Sequence, residues 1–167
     1  MLELCYYGDA VLRKTCRPVE KFDEDLAALV RDMTETMREE DGAGLAAPQV
    51  GKSLRVIVVD ATFGEAEPYV LVNPEITESS EEKIQEDEGC LSLPGITLQL
   101  TRSARVSVKA FDVKGEPYTI ENAEGLLAKA LQHEMDHLNG ILLIDRISPV
   151  QRALLSGKLK KIAGKKE

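Results

Sequence analysis

The sequence of 167 residues lacks several features that would each indicate a particular class of protein. It has no run of about 20 apolar residues, so we expect neither a membrane helix nor a membrane partner. The N-terminal stretch carries Glu3 and Asp9 and has no basic start before an apolar run, which argues against a secretory signal. The cysteines, Cys5, Cys16 and Cys90, are odd in number and unevenly spaced, which predicts reduced thiols in a cytoplasmic protein rather than a disulfide framework.

The sequence is also short of cationic residues, with 21 Lys and Arg against 29 Asp and Glu and a formal net charge of −8. A protein that binds DNA over its whole surface needs clustered Lys and Arg residues to neutralise the phosphates, so the negative net charge argues against a DNA-binding protein. Hydrophobic residues at 43% and charged residues at 30% are typical of a globular chain. We expect one domain over residues 1–167 with a core of its own.

Histidine is scarce, and both histidines stand in one H-E-x-x-H pattern, with Glu134 between His133 and His137. On a helix, residues four apart lie on the same face, so the two imidazoles can bind one metal ion. Two ordinary surface or core histidines are the alternative, and the carboxylate between them favours the metal site. The expected caps of this helix are Asn122 at its start and Gly140 at its end.

A third metal ligand must come from elsewhere, because a catalytic zinc-type site usually has three protein ligands and an open position for water. No histidine remains, which leaves a cysteine or a carboxylate. Cys90 is the leading candidate, because the surrounding sequence E-G-C-L-S predicts a tight segment with accessible backbone. Cys5 and Cys16 are interpreted as small buried hydrophobic residues.

Periodicity predicts the elements around the H-E-x-x-H helix. A 3.6-residue apolar repeat after the N-cap Asp23 predicts a helix that ends at residues 41–42. The S-P-V-Q sequence at residues 148–151 is a helix start signal, so residues 148–167 are expected to form a C-terminal helix and a basic tail. β-branched or alternating runs predict four strands, at residues 55–61, 68–74, 105–110 and 117–121.

This order of elements predicts an α+β fold, in which mixed or antiparallel strands wrap around a central H-E-x-x-H helix and a helix lies near each terminus. The strongly acidic stretch from residue 75 to 88 is interpreted as a solvated edge strand or loop, and its charge is given no function.

Three segments together resemble the motifs of the polypeptide deformylase family. They are G-A-G-L-A-A-P-Q at Gly42–Gln49, E-G-C-L-S at Glu88–Ser92 and H-E-M-D-H at His133–His137. An H-E-x-x-H pattern alone is shared by many metallopeptidases, whereas three motifs in this order are specific. The resemblance covers nearly the whole chain.

The resemblance implies a metal-dependent hydrolase that removes the N-formyl group from the formylmethionine of nascent polypeptides and releases formate, by attack of metal-bound hydroxide. It implies Cys90, His133 and His137 as metal ligands and Glu134 as the general acid and base. It also implies that the Gln49 side chain and the Leu91 backbone N–H donate hydrogen bonds to the oxyanion. Ferrous iron is the implied native ion, and zinc, nickel or cobalt can also occupy such a site.

The substrate contacts implied by the resemblance are a peptide backbone that runs along Ala43, Gly44 and Gly89, and a methionine pocket near Leu126 and Ala130. Lys129 borders this pocket at a position where an apolar residue was expected. The basic C-terminal helix is interpreted as a solvated helix end, with contact to ribosomal RNA as the alternative hypothesis, since the implied substrate is a nascent chain.

Two other functions fit the H-E-x-x-H pattern. A zinc peptidase that cuts internal peptide bonds would have a longer open cleft and no preference for a formyl group. A structural metal module would need a fourth protein ligand, which only Cys5 or Cys16 could supply as a thiolate.

Overall fold

The computed structural model describes residues 2–164 of the chain and has the predicted α+β fold. The helices are α1 (Glu24–Glu39), α2 (Gly125–Leu138), α3 (Pro149–Leu154) and α4 (Ser156–Gly164). The strands are β1 (Gly44–Ala46), β2 (Val56–Val59), β3 (Tyr69–Ser79), β4 (Lys83–Gly89), β5 (Thr97–Ser103), β6 (Arg105–Phe111) and β7 (Pro117–Glu124). Short 3₁₀ turns lie at Ala10–Arg13, Ala47–Val50 and Leu143–Arg146.

Five strands form one antiparallel sheet in the order β1-β2-β3-β6-β7, and β4 and β5 form a separate antiparallel hairpin. Strand β2 shows why the first sheet has helices on both faces. Its side chains alternate, so that Val56 and Val58 pack with α1, whereas Ile57 and Val59 pack with α2. All four are fully buried, as the unbroken β-branched run predicts.

Helix α1 begins after Asp23, whose side chain accepts a hydrogen bond from the Leu26 N–H, as predicted for an N-cap. It ends at Glu39, slightly before the predicted end. The chain then runs through the small residues of the first motif into β1. The apolar face of α1 is buried against β1 and β2, which fixes the position of that motif.

A third buried cluster supports the β4–β5 hairpin. Leu98 and Leu100 of β5 pack with Leu159 and Ile162 of α4, together with the apolar segment that follows α2. Cys90 lies directly after β4 and contacts this cluster. Helix α4 therefore supports the segment that carries the third candidate ligand.

Some local predictions were wrong. Asn122 is not the N-cap of α2: it lies within β7 with φ of 49°, and Glu124 occupies the cap position. The single C-terminal helix is broken at Leu155 into α3 and α4, although Ser148 and Gln151 form the predicted capping box. Gly140 does adopt the predicted left-handed conformation after α2.

The acidic stretch forms the end of β3 and most of β4, and both are largely exposed, which confirms the interpretation as a solvated edge strand. Its member Glu88 is the exception, because it is buried. Lys165 and Lys166 of the basic tail lie outside the described residues. Within residues 2–164, no helix has both the length and the apolar composition needed to cross a membrane.

Candidate metal centre and substrate cavity

Helix α2 places His133, Glu134 and His137 on its buried face. All three side chains are inaccessible or nearly so, and the helix packs against β1 and β2 of the central sheet. As helical geometry predicts for this spacing, both imidazoles and the carboxylate lie on the side of α2 that faces the sheet.

Cys90 meets the two histidines from the other side. The candidate ligand atoms of Cys90, His133 and His137 all lie within 4.8 Å of one another, and the Cys90 Sγ is 3.4 Å from the His137 Nε2. Two ligands of one tetrahedral ion, a sulfur at about 2.3 Å and a nitrogen at about 2.1 Å, lie about 3.6 Å apart. A thiolate and two imidazoles at this separation fit a zinc-type or iron-type metal centre.

A series of ion pairs begins at the Nδ1 of His133 and runs outwards to the protein surface. The Glu88 Oε1 is 3.0 Å from the His133 Nδ1, and Arg102 donates to both oxygens of Glu88. Arg102 also pairs with Asp136 at 3.0 Å, and Arg146 donates two further hydrogen bonds to that carboxylate. With Nδ1 engaged by Glu88, the Nε2 of His133 is the nitrogen directed to the metal position.

Glu88 and Arg102 are functional residues that the sequence interpretation missed. Burial by itself raises the pKa of Glu88, but the hydrogen bonds from His133 and Arg102 outweigh burial and lower that pKa to about 2. Glu88 is therefore a carboxylate at neutral pH and orients His133, a candidate metal ligand. The available sequence signal was its place at the head of the second motif, two residues before Cys90.

The two histidines differ in their preference for a proton. Burial and the neighbouring charge of His133 keep the pKa of His137 well below its ordinary value, which favours a neutral ring with a free lone pair. Burial also lowers the pKa of His133, but the charge of Glu134 and hydrogen bonds with Cys90 and Glu88 raise it well above the ordinary value. Metal binding at His133 would therefore release a proton.

Glu134 lies beside the metal position without belonging to the ligand group. Its Oε2 is 3.9 Å from the His133 Nε2, and its Oε1 is buried with no hydrogen-bond partner among the described residues. Burial raises the pKa of Glu134 to about 7, despite the opposing charges of His133 and Arg102. A carboxyl group with a pKa near neutrality can both accept and return a proton at physiological pH.

Gln49 is held in one orientation by its surroundings. Its Oε1 accepts from the Ala46 N–H at 2.9 Å, while its Nε2 donates to the Ser92 Oγ at 3.2 Å and lies 3.8 Å from the Cys90 Sγ. The amide N–H group therefore faces the ligand sulfur. This is the side on which a hydrogen-bond donor to a substrate oxygen is needed.

A cavity of about 390 Å³ opens over this centre. The structure brings together on its wall every substrate and oxyanion residue named from the sequence, together with two of the ligands and the catalytic candidate: Ala43, Gly44, Gln49, Gly89, Cys90, Leu91, Leu126, Ala130, His133 and Glu134. Gly44 lies so close to Glu134 that a Cβ on it would be 2.8 Å from both Cγ and Oε2 of that side chain. The cavity is therefore narrow beside the candidate base.

Lys129 lies on the cavity wall, where an apolar residue was expected. Its ammonium group donates to the Asp87 carbonyl oxygen at 3.1 Å and pairs with Glu86 at 3.4 Å, so it is drawn to the edge of β4. The aliphatic stem is left to cover the wall between Leu126 and the hairpin. A lysine can thus replace an apolar residue at this position.

The other two cysteines take no part in the site. Cys16 is buried in the cluster between the sheet and α2, and Cys5 packs against the cluster beneath the hairpin. Across residues 2–164, the one cluster of potential metal-binding side chains has three members, Cys90, His133 and His137. Three ligands leave a coordination position open, which disfavours the structural metal module.

An H-E-x-x-H helix that supplies two imidazoles, a thiolate from a neighbouring hairpin and a buried glutamate in a substrate-sized cavity together define a metallohydrolase. The chain belongs to the polypeptide deformylase family, whose model matches residues 1–153. It is an enzyme of this type.

Similar proteins match over almost their whole length. A peptide deformylase from Thermotoga maritima is 50% identical over 163 residues, which are 98% of this chain and 97% of that protein. One from Thermodesulfovibrio yellowstonii is 52% identical and covers 96% of this chain and 97% of its own length. The crystal structure of a Legionella pneumophila peptide deformylase is 46% identical, has a TM-score of 0.91 and matches 96% of this chain and 94% of its own.

Proposed function

We propose that this chain, as one catalytic domain over residues 1–167, hydrolyses the N-formyl group of formylmethionyl nascent peptides and releases formate. The observation that carries the proposal is the approach of the ligand atoms of Cys90, His133 and His137 to within 4.8 Å of one another, beside Glu134 and a narrow cavity. Family membership supports the same substrate class.

The metal would be held by the Sγ of Cys90 and the Nε2 atoms of His133 and His137. A divalent ion bound there would lower the pKa of a water ligand to about 7 and so provide a nucleophile at neutral pH. We propose ferrous iron as the native ion, with zinc, nickel or cobalt able to occupy the same ligands. Glu88 contributes by holding the ring of His133 in place from its Nδ1 side.

Glu134 is the proposed general base and acid. Its carboxylate, whose Oε2 lies 3.9 Å from the His133 Nε2, accepts a proton from the attacking water, and the protonated carboxyl then donates that proton to the amide nitrogen as the bond to the formyl carbon breaks. The products are formate and a peptide with a free amino group. Burial raises the pKa of Glu134 above its ordinary value, which favours its role as the proton donor in the second step.

The oxygen of the formyl group gains negative charge during attack. The Gln49 Nε2 and the backbone N–H of Leu91 are the proposed donors to this oxygen. The hydrogen bond from the Ala46 N–H to the Gln49 Oε1 fixes the orientation of the amide, so that its Nε2 faces the metal site. Loss of one such donor typically costs about 10²–10³ in rate.

The narrow cavity explains a preference for a formyl group. A formyl carbon carries only hydrogen, whereas an acetyl carbon carries a methyl group that needs additional space. The close approach of Gly44 to Glu134 leaves little room beside the reacting carbon. We propose that Ala43, Gly44 and Gly89 contact the substrate backbone and that Leu126, Ala130 and the stem of Lys129 contact the methionine side chain.

The decisive assay measures formate release from formyl-Met-Ala-Ser, with the acetylated peptide as the competing substrate. The metal-loaded protein should act on the formyl peptide and leave the acetyl peptide intact, whereas a zinc peptidase would show no such preference. Glu134→Ala should keep its metal and lose turnover, and Cys90→Ala should bind metal more weakly. Near-normal activity of Glu134→Ala would overturn the proposed role of that residue.

The metal proposal has a separate test. Protein prepared without oxygen should contain iron and lose activity in air, because the ferrous centre with its thiolate ligand is oxidised. A nickel-loaded sample should keep its activity under the same exposure. Equal stability of the two forms in air would argue against iron as the native ion.

The basic C-terminal helices give a further hypothesis, contact with ribosomal RNA. Lys158, Lys160 and Lys161 of α4 are exposed, whereas Leu159 and Ile162 of the same helix are buried in the cluster beneath the hairpin. Deletion of residues after 157 would therefore also damage the fold. Replacing the three lysines by glutamine should weaken ribosome association in a salt-dependent way and leave activity on short peptides intact. Unchanged association would exclude this contact.

A further inference from the structure

Phe63 is an exposed aromatic residue at the rim of the catalytic cavity. The residue is 60% exposed, although phenylalanine is among the residue types most often buried, and it lines the same cavity as Cys90 and His133. It belongs to the loop between β2 and β3, which the sequence motifs do not include. Among residues 2–164, Phe63 belongs to none of the three hydrophobic clusters.

The loop holds Phe63 in a conformation that the residue does not favour. Phe63 has φ of 53°, in the left-handed region that bulky side chains rarely adopt. The buried carboxylate of Asp60 fixes this turn, since it accepts hydrogen bonds from the Thr62 N–H at 2.9 Å and the Gly64 N–H at 2.8 Å. A strained, exposed ring maintained by a buried anchor indicates a role outside the core.

The same anchor residue connects the loop to the substrate-binding segment. The backbone N–H of Asp60 donates to the Ala43 carbonyl oxygen at 2.8 Å, directly before β1. The backbone of the loop that carries Phe63 is therefore connected to Ala43 and Gly44, along which the peptide backbone is proposed to run.

We propose that Phe63 binds the side chain of the residue that follows formylmethionine and gives the enzyme a preference for large apolar residues there. The inference rests on the proposed function. In an extended peptide, successive side chains point to opposite sides. If methionine points inwards to Leu126 and Ala130 on α2, the next side chain points outwards to the rim, where Phe63 stands.

The test compares kcat/KM for formate release from formyl-Met-Phe-Ser and formyl-Met-Ala-Ser, using metal-loaded protein. The wild-type enzyme should prefer the phenylalanine peptide by about two- to tenfold, the range expected for one aromatic contact. Phe63→Asn should reduce this ratio to about one, because asparagine tolerates positive φ but offers no ring. Phe63→Gly, which also suits the turn, should give the same result.

Tyr69→Ala is the matched control, since Tyr69 is an exposed aromatic residue at the start of β3 and lies outside the cavity lining. It should keep the wild-type ratio. A ratio unaffected by both Phe63 variants would overturn the inference, and so would a preference that appears only with formyl-Met-Ala-Phe. Formate release without discrimination would leave the proposed function intact, whereas no release from any formyl peptide would overturn both.

Discussion

Gly44→Ala is the smallest change that tests whether the position of Glu134 determines the rate. The new Cβ would lie 2.8 Å from both the Cγ and the Oε2 of Glu134 and 3.1 Å from its Cδ. Gly44 has no positive φ, so alanine suits its backbone, and the three protein atoms nearest to the new Cβ all belong to this side chain. Ordinary contact distances of about 3.5–4.0 Å require the carboxylate to move by about 0.7–1.2 Å.

The Glu134 side chain is buried where α2 packs against β1, so the new contact can be relieved only if the carboxylate moves away from its present position. A displacement of about 1 Å in a reacting group can cost about 10² in rate. We therefore expect Gly44→Ala to lower kcat for formate release by about 100-fold. Metal content should stay at the wild-type level, since the alanine Cβ would lie against Glu134 rather than against Cys90, His133 or His137.

Gly42→Ala is the matched control in the same segment. Its new Cβ would meet the Leu91 Cδ1 at 3.1 Å, which is the end of a flexible side chain that can move aside. We expect a change in kcat of a few-fold at most. If Gly44→Ala kept the wild-type kcat with a normal metal content, the close approach of Gly44 to Glu134 would not control catalysis, and the reasoning would be refuted.

Three further changes test other parts of the site. Glu88→Gln should weaken metal affinity by about 10- to 100-fold in a chelator competition, because His133 loses its carboxylate partner; wild-type affinity would contradict this role. Lys129→Ala should raise KM for formyl-Met-Ala-Ser by about tenfold, whereas Lys129→Met, which keeps an apolar stem, should stay near the wild type; equal KM values would show that the stem does not contact methionine. Asp60→Asn should lower the free energy of unfolding at pH 7. Burial raises the Asp60 pKa, but hydrogen bonds from Thr62 and Gly64 lower it below its ordinary value. The ionised carboxylate therefore stabilises the fold above about pH 4, and this contribution is lost as the pH falls further. Denaturant unfolding at pH 7 and pH 3 should therefore show a difference between wild type and variant that shrinks at the lower pH; an equal difference at both would contradict the assigned cause.

The parts of the fold that repeat regularly could be predicted from the sequence. The apolar repeat and the N-cap Asp23 predicted α1, and the unbroken run Val56–Val59 predicted a strand buried on both faces. The H-E-x-x-H spacing predicted both histidines on one face of α2, and the E-G-C-L-S segment indicated Cys90 as the third candidate. These three side chains do lie together.

The missed features depend on contacts between distant segments. The sequence placed Glu88 in a solvated acidic run. It is buried instead, where its carboxylate neutralises the buried guanidinium of Arg102, fourteen residues later. The alternation of β5 places Arg102 on the same face as Leu98 and Leu100, which was a readable signal for that need. The positive φ of Asn122 comes from an irregular register between β6 and β7, which no local pattern in the sequence reveals.

The separate β4–β5 hairpin has a consequence for the stability of the loaded enzyme. Its strands pair only with each other, and Cys90 follows β4, so a metal ion bound to Cys90 and to α2 would tie the hairpin to the central body of the protein. Ligand binding to the native state alone adds about 4 kcal/mol of stability at a thousandfold excess over Kd. Chelation should therefore accelerate amide hydrogen exchange first in residues 83–103, while the backbone amides of the five-stranded sheet remain protected.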